Sequence, residues 1–192
     1  MGKNICQLHT CICGTTLDAR DLHGLACHKS GPHHIRHSPL NDLIWRAVKK
    51  AQIPASKEPI GLLRADGKKL DGATLVPWTR GKPLAWDATV PDTYTASHLQ
   101  LTSTTACTAV EKAAVNKTTK YVALAATHSF VSVAIERSGA WCSQSVEFIE
   151  DLGRRLTTIT NEPLKTTYLY QKMSVTLQRG NAVAFNNTFP KS

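Results

Sequence analysis

Residues 68–90 read KKLDGATLVPWTRGKPLAWDATV, and the fold turns on this stretch. Two apolar runs, GATLVPW (72–78) and PLAWDATV (83–90), flank Thr79-Arg80-Gly81-Lys82. A glycine among polar neighbours marks a tight turn, so the stretch predicts an antiparallel hairpin. GLLRA (61–65), set off by Asp66-Gly67, predicts a third antiparallel strand in front of it. Because a hairpin folds about its turn, Asp71 on one strand and Asp87 on the next become direct or diagonal cross-strand neighbours, about 5 Å apart or slightly more. Two carboxylates that close repel and are poorly solvated, and a divalent cation such as Mg2+ is their natural partner. Two solvated strand-end acids are nevertheless the commoner arrangement in an arbitrary hairpin, so the pair needs a further group to become a site.

The segment at about Cys107–Leu124 supplies that group. At helical spacing, Val110, Ala113, Ala114, Tyr121 and Leu124 form one apolar stripe, and Lys117 falls near its centre. A lysine in an apolar stripe either snorkels to water or finds an acid. Beside Asp71 and Asp87 its charge is compensated, and it is placed to orient water or to steady charge developing on a phosphate. Lys112 projects from the opposite face and Lys120 from the margin of the stripe.

Outward from this centre the periodicities predict further elements. Ser38 reads as the N-cap of a helix with Pro39 at its first position and Leu40, Leu43, Ile44, Ala47, Val48 and Ala51 at helical spacing, ended by Pro54. A strand is expected at about Ser129–Ile135, and helices at about Ser143–Thr160 and Leu164–Gln178. The chain thus reads α, β, β, β, α, β, α, α, an α/β class with no internal repeat.

Residues 1–37 differ from the rest. They hold four of the six cysteines and six of the eight histidines, with few large apolar side chains, so they cannot build a core alone. The spacing Cys11-x-Cys13-x9-His23-x3-Cys27 presents two thiolates on one short turn, then an imidazole and a thiolate on a later one. That is a tetrahedral zinc set in two halves, with Gly14 and Gly24 allowing tight turns. Cys6, His9, His28, His33, His34 and His37 are alternative ligands. Such a zinc is structural, because four protein ligands leave no open position, and its binding energy replaces the missing core. Cys107 and Cys142 stand apart and read as buried thiols. The chain divides accordingly into a zinc-knuckle segment, 1–37, and a second domain, 38–192.

Composition bounds the function. With 192 residues, 42% apolar and 19% charged, the chain can bury one core and a small satellite module. Lys and Arg number 23 against 14 Asp and Glu, and a net charge of +9 suits a polyanion, nucleic acid above all. No signal peptide or membrane-length apolar run is read, so an intracellular protein, nuclear or cytoplasmic, with no membrane partner is expected.

KKLDG, then Asp87 in LAWDATV, then KTTKY (117–121) together resemble the restriction-enzyme-like endonuclease domain of site-specific, non-LTR (LINE-type) retrotransposon proteins. In that family a Cys-Cys-His-Cys zinc knuckle precedes the nuclease, as CICGTTLDARDLHGLAC (11–27) does here, and RHSPLNDLIWRAVKKA (36–51) looks like the helix that follows it. The resemblance covers about residues 11–125. It implies a PD-(D/E)XK core, a mixed sheet flanked by helices, with Asp71 and Asp87 as Mg2+ ligands and the catalytic lysine displaced from its usual strand position onto a helix. Thr89, two residues after Asp87, cannot do a lysine's work, which suits the displacement. Lys117 is the first choice for that role, with Lys120 and Tyr121 next, and Glu58 corresponds to the acid that many such folds add from the first helix. Leu70 replaces the family's proline before the first Asp, and the zinc spacing differs slightly from the family pattern. The resemblance implies nicking of target DNA to prime reverse transcription, with DNA as partner and RNA of the parent element as a second. The competing expectations are a non-catalytic zinc-containing nucleic-acid-binding protein and a cellular resolvase or repair nuclease of the same fold.

Overall fold

A computed structural model of the chain describes residues 6–17, 19, 22–27, 29–31, 34–62, 69–91 and 107–189. A two-stranded ribbon, β1 (His9–Thr10) and β2 (Thr16–Leu17), is followed by a short helix α1 (Leu22–Ala26) and the long helix α2 (His34–Lys50). Then come β3 (Ala55–Lys57), β4 (Gly72–Thr79), β5 (Lys82–Thr89), α3 (Thr108–Lys120), a 3-10 segment Val122–Ala126, β6 (Ser129–Ala134), α4 (Ser143–Thr160) and α5 (Lys165–Asn186). The main sheet has the order β3-β4-β5-β6, with the first three strands antiparallel and β6 parallel to β5. It is a mixed α/β fold built on a four-stranded mixed sheet flanked by helices.

Strand alternation sends two sets of side chains to opposite faces. Leu84, Trp86 and Ala88 of β5, with Val133 of β6 and the following Ile135, join Leu40, Ile44 and Val48 of α2, Phe148, Ile149 and Leu152 of α4, and Met173 and Leu177 of α5 in the main core. Across the sheet, Ala73, Ala85 and Leu70 meet Tyr121, while Ala134 meets Val110 and Ala114 of α3. Trp86 is fully buried, and an indole of that size removes enough area from water to stabilise the fold by on the order of 4–6 kcal/mol. Gly72 is its cross-strand partner, and a Cβ on Gly72 would overlap the indole ring. The glycine after Asp71 is therefore needed for packing, as a space for Trp86.

The predicted hairpin forms, and α4 has its expected bounds. Four boundaries differ for physical reasons. First, α2 begins at His34 instead of after Ser38 and carries Pro39 in its second turn. Pro39 leaves one helical hydrogen bond unmade, but buried Arg36 donates to Asn181 Oδ1 (2.8 Å) and to the Leu25 carbonyl (3.4 Å), which anchors the extra turn. Second, the third antiparallel strand is Ala55–Lys57, too short to show alternation; Gly61 and Leu62 lie in no strand, and the rest of GLLRA, residues 63–65, lies outside the described residues. Third, α3 stops at Lys120 and gives way to the 3-10 segment. Fourth, α5 runs on to Asn186, since buried Gly180, Asn181 and Ala184 continue the stripe begun by Leu169, Met173 and Leu177. No helix among the described residues is long and apolar enough to cross a membrane.

Candidate metal centres

The first centre is built within residues 11–27. Cys11 and Cys13 lie in the turn after β1, closed by hydrogen bonds from Gly14 N to the Cys11 carbonyl (2.7 Å) and from Cys11 N to the Thr15 carbonyl (2.9 Å). Gly14 adopts φ +95°, a conformation that costs glycine little. His23 sits in α1, and Cys27 closes that helix by donating its N–H to the His23 carbonyl (2.7 Å). The four ligand atoms lie within 4.8 Å of one another, with Cys11 Sγ 3.7 Å from Cys27 Sγ and Cys13 Sγ 3.2 Å from His23 Nε2. A zinc tetrahedron with arms of about 2.3 Å to sulfur has S···S edges of about 3.8 Å, and no disulfide competes for these thiols. The donor set fits zinc.

The four groups shift one another's protonation in opposite directions. Hydrogen bonds from Thr15 hold the Cys13 thiol down at about 6. Burial pushes Cys11 up to about 11, with the neighbouring thiols adding to the effect. Burial also opposes ionisation of Cys27, but hydrogen bonds from Ser30 and the Lys29 backbone win and lower it. In the same way, burial disfavours the charged form of His23, yet its bonds to Cys13 and Cys27 raise it.

Among the described residues, only Cys11, Leu17 and Cys27, with Cys13 beside them, form the apolar cluster here. The segment leans instead on the residues that follow the last helix: His9 Nε2 meets Thr188 Oγ1 (2.9 Å), its ring stacks on Phe189 at 4.2 Å, and Asn187 donates to the Ser30 carbonyl (3.1 Å). These contacts account for His9. Cys6 points to the Ala19 carbonyl, His34 is exposed, and His28 and His33 lie outside the described residues. Gly24 lies inside α1 and makes no tight turn.

The second centre brings distant residues together. Asp71 immediately precedes β4, and Asp87 lies on β5. Pairing of Gly72 with Trp86 and of Ala73 with Ala85 continues to Asp71 opposite Asp87. That register is not the one the turn alone would set. Pro77 pairs with Pro83 and Thr79 with Lys82, so β4 spends extra residues between turn and carboxylates. An unbroken ladder from Thr79 and Lys82 would set Asp71 against Val90 and Asp87 against Thr74, on opposite faces of the sheet, since slipping by an odd number of residues inverts a strand. Two facing prolines cannot donate ladder hydrogen bonds. The ladder breaks there as a bulge, and Thr74 Oγ1 accepts the Leu84 N–H (2.9 Å) while donating to the Val76 carbonyl (2.8 Å).

Three groups close on the carboxylates. Lys117, on α3 one turn beyond buried Ala114, makes an ion pair with Asp87 Oδ2. His37, on α2, meets Asp71 Oδ2 through Nε2 at 2.9 Å, and the same oxygen accepts the Ala88 N–H at 2.6 Å. Asn41, one turn along α2 from His37, donates to the Asp71 carbonyl (3.2 Å) and accepts the Trp86 indole N–H (2.9 Å), which ties Asp71 to the core. His37, Asp71 and Asp87 each offer an atom within 4.8 Å of the others. Burial pushes the Asp87 carboxyl above its usual range, with Lys117 opposing and Asp71 reinforcing the shift. The hydrogen bond to Asp71 raises His37.

The group could hold a metal ion, and one observation separate from the acids bears on it. Ser132 on β6 is the register partner of Asp87, so its side chain shares the carboxylate's face. It is fully buried, and its Oγ has no hydrogen-bond partner among the described residues. Buried polar atoms rarely stay unpaired, and a hydrated cation supplies the kind of partner this one lacks.

The remaining sequence candidates fall outside the cluster. Glu58, at φ +44° after β3, turns its exposed carboxylate to Lys69 Nζ (3.4 Å) and touches the site only by donating its backbone N–H to the Asp71 carbonyl (3.2 Å). Lys120 is exposed. Tyr121 is buried against Leu70, Ala73 and Ala85, its ring 4.6 Å from that of Phe130. Cys142 is fully buried and Cys107 half-buried. Sequence reasoning missed His37, Asn41 and Ser132 at this centre; the available signal was the pair His37 and Asn41, polar and one helical turn apart beside the stripe Leu40, Ile44 and Val48. Compared with known proteins, the chain matches no family model and no curated protein.

Proposed function

We propose that the chain is a divalent-metal-dependent DNA endonuclease module with a PD-(D/E)XK-like core and a structural zinc knuckle, of the kind that nicks target DNA for a non-LTR retrotransposon. The observation that supports it best is the bulged register that sets Asp71 against Asp87 on one face, with Lys117 reaching Asp87 from a helix. Asp71 and Asp87 would hold the catalytic Mg2+ or a related ion, and Cys11, Cys13, His23 and Cys27 a structural Zn2+. A divalent ion held by two carboxylates supplies a Lewis acid that makes water nucleophilic at neutral pH and polarises a phosphate oxygen.

The chain's own groups do the rest. Asn41 and the Ala88 N–H fix Asp71 in place, so its carboxylate is preorganised before any ligand arrives. Lys117 balances Asp87 in the resting site, and its ammonium is near enough to steady charge on a scissile phosphate. The net charge of +9 provides the sequence-independent attraction to a DNA backbone, and RNA of a parent element would be drawn by the same charge.

One observation favours a second reading, a non-catalytic zinc-containing nucleic-acid-binding protein: Lys117 and His37 already balance both carboxylates without a metal. Plasmid nicking separates the two. The zinc-loaded chain is expected to relax supercoiled DNA when Mg2+ or Mn2+ is added, and Asp71→Ala to lose at least about a hundredfold in rate while DNA affinity changes little. Equal nicking by Asp71→Ala rules out the assignment, and DNA binding without nicking by the wild-type chain selects the second reading.

A further inference from the structure

We infer that His37 is a third protein ligand of the ion held by Asp71 and Asp87, so that this centre takes a first-row transition ion of the Mn2+ kind in preference to Mg2+. The inference deepens the metal-centre reading above and rests on it.

The geometry is the first support. Among the described residues, His37 is the one imidazole that reaches the carboxylates: its Nε2 lies 2.9 Å from Asp71 Oδ2, and each of the three residues has a ligand atom within 4.8 Å of the others. The side chain is delivered by the extra helical turn of α2, which buried Arg36 anchors against Asn181 of α5. A surface histidine that happened to meet an acid would not need that anchoring. His37 keeps only about a fifth of its side-chain surface exposed, against 12% for Asp71 and 6% for Asp87, so all three donors lie in a sheltered recess.

Donor chemistry is the second. Mg2+ prefers an all-oxygen octahedron and gives up water reluctantly. An imidazole nitrogen is a softer donor, suited to first-row transition ions, and Mn2+ accepts nitrogen while keeping the octahedral habit that two carboxylates and water serve. A site of one histidine and two aspartates, with Ser132 Oγ buried beside Asp87 and without a hydrogen-bond partner among the described residues, matches a partly hydrated ion of that type better than Mg2+. The alternative for His37 is that it only orients Asp71 through their hydrogen bond, as outer-shell groups do.

Pulsed electron paramagnetic resonance of Mn2+ added to the zinc-loaded full chain separates these roles, because a nitrogen bound directly to Mn2+ shows a sizeable isotropic coupling and one at longer range shows only a weak dipolar one. Zinc in the knuckle keeps His23 out of the experiment. The expected result is a directly bound 14N signal in the wild-type chain, which changes to the 15N pattern when histidine is isotopically labelled and disappears in Asp71→Asn. In His37→Gln, Mn2+ affinity by calorimetry should fall by about tenfold or more, while Mg2+ affinity stays within about threefold. Labelling requires no substitution, so a variant that failed to fold would leave the result standing. Mn2+ bound with no nitrogen coupling overturns the inference and leaves the metal centre intact. Absence of Mn2+ and Mg2+ binding overturns the metal centre itself, and the inference with it.

Discussion

The two candidate metal centres are opposites in construction. The knuckle gathers Cys11, Cys13, His23 and Cys27 from one short stretch and has almost no apolar support of its own. The carboxylate centre gathers residues 37, 71, 87 and 117 from separate elements and stands on a sheet packed on both faces. Local centres are held by their metal, and distributed ones by the fold. The knuckle should therefore depend on zinc for its structure, whereas the carboxylate centre should keep its shape with or without an ion.

Zinc removal gives the largest separation between them. Binding energy of the order of 10 kcal/mol sustains small zinc modules, so chelation should abolish amide protection in β1, β2 and α1 in hydrogen exchange while β4, β5 and α4 remain protected. Contacts of His9 with Thr188 and Phe189 should loosen at the same time. Loss of protection across the main sheet as well would mean that the knuckle holds the whole molecule, and the contrast would fail.

Gly72→Ala attacks the other side of the comparison. Its methyl group would drive into the Trp86 ring, and overpacking of this sort costs about 1–3 kcal/mol. The same displacement pulls on the chain of hydrogen bonds from Trp86 through Asn41 to Asp71. A lower urea midpoint combined with weaker Mn2+ binding is expected, with the zinc affinity unchanged. An unchanged midpoint would show that Trp86 does not need the space.

The smallest effect is a pH dependence without metal. His37 titrates above its ordinary value because of its hydrogen bond to Asp71. The stabilisation is thus complete below about pH 6.5, the unfolded value, and fades as pH rises through the higher folded value. The difference in urea midpoint between wild type and His37→Gln should be greater at pH 6 than at pH 9. A difference that grows with pH would show that the pair forms with neutral His37.

What could be read in advance follows the same division. The Cys11, Cys13, His23 and Cys27 cluster is legible because a tetrahedral donor set needs only spacing, and spacing is a property of the sequence. The hairpin of β4 and β5 is legible from its turn, and Lys117 from its place in an apolar stripe. The register is not, because it depends on Pro77 meeting Pro83 and on Thr74 filling the broken ladder. The same symmetry argument about the turn would, taken strictly, have put the two aspartates on opposite faces. His37 reads as one of several histidines near the knuckle, and only the extra turn of α2 carries it to Asp71. Ser132 gives no sign in the sequence, since its position depends on the parallel pairing of β6 with β5.

The central claim is that Asp71 and Asp87 share one ion. Calorimetric titration of the zinc-loaded chain with Mn2+ tests it most directly, in the wild type and in Asp71→Asn and Asp87→Asn separately. One Mn2+ per wild-type chain and loss of that binding in each variant is the predicted result. Full-affinity binding in either variant would contradict the claim, because an ion that tolerates the loss of one carboxylate does not lie between two.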